Sequence, residues 1–152
     1  YTHGVLERLR DPKELFIMSK KYLSKNGIFF TSVANDFNLF QAAALKKIKK
    51  PWWIVAPEHI NYFSIKSIFN LFKKTGYKVL EKNSSFPLEI FLLMDENYVQ
   101  NPNLGKKIHK KRIIFEKSLK DSGLSELNDA YLNALSNLGI GRQIDMIGCK
   151  KR

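Results

Sequence analysis

His59 is the residue of this chain best suited to moving a proton. It lies in Pro57-Glu58-His59-Ile60-Asn61-Tyr62-Phe63-Ser64, directly after Pro51-Trp52-Trp53-Ile54-Val55-Ala56-Pro57. An imidazole titrates near neutral pH, which is what a general base requires. Two prolines punctuate the stretch, so it reads as loop rather than regular helix, and loop side chains can reach a pocket. A structural role fits the same position equally well, with His59 capping the helix that Ser64 opens or bonding a backbone carbonyl. Trp52 and Trp53 are either packing plugs or the wall of a substrate pocket. The polar turn Asn35-Asp36-Phe37-Asn38 puts an amide and a carboxylate just beyond an apolar run. Asn35, Asp36, Trp53 and Tyr62 are therefore the candidate pocket residues around His59.

Other chemistries find little support. The three histidines, His3, His59 and His109, are scattered, and no His or Cys pairing suggests a metal site. A serine hydrolase would need a Gly-x-Ser-x-Gly elbow, and a P-loop nucleotidase a Walker loop; neither occurs. Gly139-Ile140-Gly141-Arg142 is too short and too late in the chain for a dinucleotide fingerprint, and reads as a helix stop.

The elements that must hold these residues alternate between helix and strand. Asp11 and Pro12 are an N-cap and a first helical residue; Leu15, Phe16, Ser19, Tyr22 and Leu23 share a face, and Asn26-Gly27 closes that helix. Ile28–Val33 is a β-rich run without clear alternation, as expected of a strand buried on both faces of a parallel sheet. A short helix is predicted over Leu39–Lys46. Ser64 caps another that carries Ile65, Ile68, Phe69 and Phe72 and ends at Gly76. Tyr77–Glu81 reads as a strand. Over Asn83–Met94 a loop at Phe86-Pro87 precedes an apolar helix. Helices are predicted over Lys106–Lys120 and Ser125–Leu138, and an alternating closing strand over Gln143–Cys149. Ligands of open α/β sheets bind beyond the carboxyl ends of strands. Two such ends are visible, at Tyr1–Glu7 and at Asn35-Asp36.

With 44% hydrophobic residues, the 152-residue chain has material for one ordinary core. No apolar run reaches the length of a membrane span. The single Cys149 excludes an internal disulfide and suits a reducing compartment, so a cytoplasmic location is expected. The net charge of +12 is concentrated in three runs: Lys46, Lys47, Lys49 and Lys50; then Lys106, Lys107, Lys110, Lys111 and Arg112; then Lys150-Lys151-Arg152. No nucleic-acid-binding module accompanies them, so they read as a solvated basic surface without a specific nucleic-acid partner. The rival class is a non-catalytic basic α/β module that binds nucleic acid or an anionic surface.

Four segments carry a family resemblance. They are His3-Gly4-Val5-Leu6-Glu7-Arg8-Leu9-Arg10-Asp11-Pro12, Leu23-Ser24-Lys25-Asn26-Gly27-Ile28, Asn35-Asp36, and Pro57 to Ser64. Together they resemble the second half of a class I S-adenosylmethionine-dependent methyltransferase, in the bacterial branch that includes ubiquinone-biosynthesis and sugar O-methyltransferases. The likeness spans residues 3–81 and resumes at residues 139–150.

The resemblance implies methyl transfer to an oxygen or nitrogen of a small-molecule acceptor. The fold it implies is the C-terminal portion of a doubly wound, Rossmann-like sheet, of which this chain supplies the last three strands. His3, Gly4 and Val5 would then border the methionine end of the cofactor, Glu7 would support their loop, and His59 would face the substrate. Arg8 departs from the family's usual His. Residues 83–138 form a helical insertion where a short connection is usual; with Arg112, it would serve as a substrate lid or as an oligomer surface between copies of the chain. The glycine-rich loop and acidic ribose clamp of the family do not occur in the sequence, so the expectation is a partial domain that opens just past the fourth strand. The outer flank of Ile28–Val33 would then lack its neighbour.

Overall fold

Local sequence signals set the element boundaries. The computed structural model describes residues Tyr1–Lys151. In chain order the elements are β1 (Thr2–His3), a 3-10 turn (Leu6–Arg8), α1 (Pro12–Tyr22), β2 (Ile28–Ala34), α2 (Leu39–Ile48), α3 (Ile65–Lys74), β3 (Tyr77–Ser84), α4 (Glu89–Leu93), α5 (Pro102–Asp121), α6 (Ser125–Leu138) and β4 (Gln143–Lys150). Asp11 caps α1 by accepting from the Lys13 amide at 2.9 Å. Asn38 caps α2 through the Gln41 amide, also at 2.9 Å. Ser64 and Ser67 exchange hydrogen bonds at the start of α3, satisfying two otherwise orphaned amides.

The four strands form one sheet in the order β1-β2-β4-β3. β1 runs parallel to β2, whereas β4 is antiparallel to both β2 and β3. This mixed sheet with six helices is the α/β architecture expected of a Rossmann-like methyltransferase portion. One expectation is corrected: the flank of β2 is not bare. Thr2 pairs with Thr31 and His3 with Ser32, while the Gly4 amide donates to the Ser32 carbonyl at 3.0 Å. The middle of β2 is thus covered by β1, and the open edge lies at its start, where Ile28 is 57% exposed.

The main core joins α1 and α3 to the sheet. Phe16, Phe29, Phe72 and Tyr77 meet mostly edge-on, with Phe16 centroids 5.0 Å from Phe29 and 4.9 Å from Phe72. Each such pair adds about 0.5–1.5 kcal/mol to the burial itself. Gly148 in β4 allows this close packing, because a Cβ there would sit 2.7 Å from the Phe72 ring. A second cluster of Phe86, Leu88, Phe91 and Ile108 packs with Tyr98, Leu104 and Tyr131. It belongs to the long connection between β3 and β4, where α4, α5 and α6 lie. Asn101 and Pro102 start α5 earlier than its apolar pattern predicts.

Candidate active site

Beyond the ends of β1 and β2 lies a cavity of about 320 Å³. Gly4, Ser32, Val33, Ala34 and Asp36 line it from the strand ends, Glu7 and Arg8 from the 3-10 turn, and Gln41 from α2. Trp52, Trp53, Val55 and His59 close it from the loop, with Glu89 and Arg142 from the β3–β4 connection. Its position is the one that open α/β sheets use for ligands.

Backbone hydrogen bonds hold the His59 loop against the 3-10 turn. The amides of Ile60 and Asn61 both donate to the Glu7 carbonyl, at 2.9 and 3.0 Å. The Asn61 side chain adds bonds to the carbonyls of Leu6 and Leu9, at 3.1 and 2.6 Å. Gly4 takes a left-handed φ of 61°, and its carbonyl accepts from Arg8 Nη1 at 2.6 Å. A backbone turn of this kind at a strand end favours glycine.

The cavity floor is acidic and short of partners. Glu7, Asp36, Gln41 and Glu89 are each less than 5% exposed. Glu7 Oε2, Asp36 Oδ2, Gln41 Oε1 and Glu89 Oε2 are buried acceptors with no hydrogen-bond partner, and Trp53 Nε1 is a donor in the same condition. Buried polar groups are ordinarily bonded, because leaving one bare costs about 1–3 kcal/mol. Burial pushes the Asp36 carboxyl from 3.8 up to about 6; the Phe63 backbone opposes this, and the neighbouring Glu7 and Glu89 carboxylates reinforce it. Burial raises Glu89 as well, against the pull of its own backbone amide, Arg142 and Gln41.

The predicted residues divide. Gly4, Asp36, Trp53 and His59 meet at the cavity. His59 is half-buried, with its ring centroid 6.3 Å from that of Tyr62. Tyr62 stands behind the wall, its hydroxyl accepting from the Val55 amide at 3.2 Å and its ring edge-on to Phe37. Asn35 is buried and structural, since its amide donates to the carbonyls of Gly139 and Gly141 at 2.9 and 2.7 Å. It also borders a wider groove of about 470 Å³ on the other side of Asp36, lined by Phe37, Leu39, Ile65, Phe69 and Leu138. His3 is exposed at the end of β1, and Val5 is 38% exposed; neither lines the cavity. Arg112 is not brought there either, and its Nε lies 3.9 Å from Glu116 one turn along α5.

Sequence reasoning missed Gln41, Glu89 and Arg142. A signal existed for Glu89, a lone carboxylate inside the apolar run Phe86-Pro87-Leu88-Glu89-Ile90-Phe91-Leu92. Among the described residues no cluster of metal-ligating side chains forms, and no helix is long and apolar enough to cross a membrane.

No curated protein matches the chain. The Methyltransferase domain family matches residues 1–82, which run from β1 through most of β3 and include the strand ends, the 3-10 turn and the His59 loop. With that match spanning more than half of the sequence, the chain belongs to the class I methyltransferase-domain family.

Proposed function

We propose that this cavity is where a methyl group passes from S-adenosylmethionine to an oxygen or nitrogen of a small-molecule acceptor. The observation that carries the reading is the set of five partnerless buried polar atoms lining one cavity at the strand ends. A protein that left them bare for no ligand would lose several kcal/mol, by the roughly 1–3 kcal/mol cost per group.

The residues present suit the cationic methionine end of that cofactor, which supplies an electrophilic methyl carried on a sulfonium. Gly4 offers backbone and no side chain, and the nearest atom to an added Cβ, Arg8 Nη1, is 3.9 Å away. His3 and Val5 flank it, and the buried acidic floor makes the cavity as a whole favourable to positive charge. The chain's own work is positioning: the stapled loop fixes the acceptor against the strand ends, and the indoles exclude water. His59 takes the acceptor proton where one must leave. Residues 83–138 act as an insertion that closes the cavity on one side through Glu89.

The test is kinetic. In the protein as its gene encodes it, His59→Ala lowers methyl-transfer turnover by about 100-fold or more, within the usual range for a general base, and leaves cofactor affinity within about twofold. Unchanged turnover with a natural acceptor would remove His59 from this role.

A further inference from the structure

We propose that the methyl acceptor is a small basic amine, bound as its ammonium by Glu7, Asp36 and Glu89 against the indole of Trp52. This rests on the methyl-transfer reading above and names its substrate class.

Four of the five partnerless atoms are acceptors, namely Glu7 Oε2, Asp36 Oδ2, Gln41 Oε1 and Glu89 Oε2; only Trp53 Nε1 is a donor. A ligand that completes this set must be rich in donors. A hydroxyl brings one N–H or O–H, a carboxylate none, and an ammonium three. Charge points the same way. Three buried carboxylates face the cavity, and two guanidiniums stand at its edge. Arg8 is already engaged, bonding the Gly4 carbonyl and lying 3.7 Å from Glu58. Arg142 is exposed, and its charge acts on both Glu89 and Tyr98. The cavity therefore carries surplus negative charge inside a chain of net charge +12. Its walls suit a cation too, since two indoles, Trp52 and Trp53, lie among them with centroids 4.8 Å apart, and indole is the side chain that attracts cations best.

The reaction balances without a further reagent. The bound ammonium gives one proton to His59, the base assigned above, while the Asp36 carboxylate holds the nitrogen in place. The freed nitrogen lone pair forms the N–C bond to the methyl carbon while the C–S bonding pair returns to sulfur. The positive charge lost by the sulfonium reappears on the N-methylammonium product.

Binding also moves protons. Glu7, Asp36, Glu89, His59, Arg8 and Arg142 face the cavity, with Tyr98 close to Glu89 and Arg142. Of these, Asp36 titrates near pH 6, so a cation arriving there expels its proton.

The experiment is calorimetric titration with benzylamine, benzyl alcohol and benzoate as probes, near pH 6 in two buffers of different ionisation enthalpy. The expected result is benzylamine bound at least about tenfold tighter than benzyl alcohol, with proton release, and no benzoate binding. Asp36→Asn abolishes the proton release and weakens benzylamine by about tenfold, and Glu89→Gln gives an independent second loss. Thermal melts of both variants separate unfolding from lost binding. Benzyl alcohol or benzoate bound as tightly as benzylamine overturns the proposal, as does competition between benzylamine and S-adenosylmethionine, which would assign the carboxylates to the cofactor's own charge. Neither outcome touches the methyl-transfer reading, which falls only if no labelled methyl reaches any small acceptor.

Discussion

One carboxylate oxygen of Glu7 accepts the Ala34 amide at 3.0 Å, while the other is buried at the cavity with no partner. A single side chain thus ties the 3-10 turn to the end of β2 and offers an acceptor to a ligand. The two roles separate by substitution. Glu7→Gln keeps an oxygen for Ala34 and changes stability little, yet weakens ligand binding. Glu7→Ala orphans the Ala34 amide as well and costs about 1–3 kcal/mol in chemical denaturation.

The Asp36 environment makes stability depend on pH. Its folded pKa of about 6 exceeds the ordinary 3.8, so between those values the folded chain binds more protons there than the unfolded one. Stability therefore falls as pH rises through that window, and the full penalty, on the order of 2–3 kcal/mol, is present above it. Asp36→Asn removes the charge: it stabilises the chain at about pH 8, has little effect at about pH 4, and loses ligand affinity. Denaturant midpoints measured across this range check the sign.

Asn35 was expected in the pocket as a substrate residue, but its amide fastens the α6–β4 corner to β2. Asn35→Ala breaks one buried and one part-buried hydrogen bond and lowers unfolding stability by about 2–4 kcal/mol. Asn35→Asp, which removes the donor and sets a carboxylate against the Gly139 and Gly141 carbonyls, is expected to be at least as damaging by the same assay.

Gly148→Ala drives a methyl group to within 2.7 Å of the Phe72 ring and 3.1 Å of the Lys78 carbonyl. Overpacking of this kind costs about 1–3 kcal/mol, read as a lower melting temperature with the cavity residues intact.

The caps and periodicities were legible because they are local. Asp11-Pro12 and Ser64 sit where side-chain geometry alone decides, and β4 announces itself by alternation. The His59 loop was also legible, through the prolines that forbid helix and the aromatics between them. The other half of the cavity was not. α4 was legible as an apolar helix after Phe86-Pro87, but Glu89 faces Asp36 across a long sequence separation that no local pattern encodes. Arg112 shows the converse: its charge was evident, but its place along α5 set it beside Glu116 instead of the cavity.

The most direct measurement is mass spectrometry of methyl transfer from isotopically labelled S-adenosylmethionine by the protein as its gene encodes it, against a panel of small amines and alcohols. The account predicts label on a small acceptor, reduced by about 100-fold in His59→Ala and Asp36→Asn at unchanged folding. Transfer undiminished in both variants, or no label on any small acceptor, would contradict it.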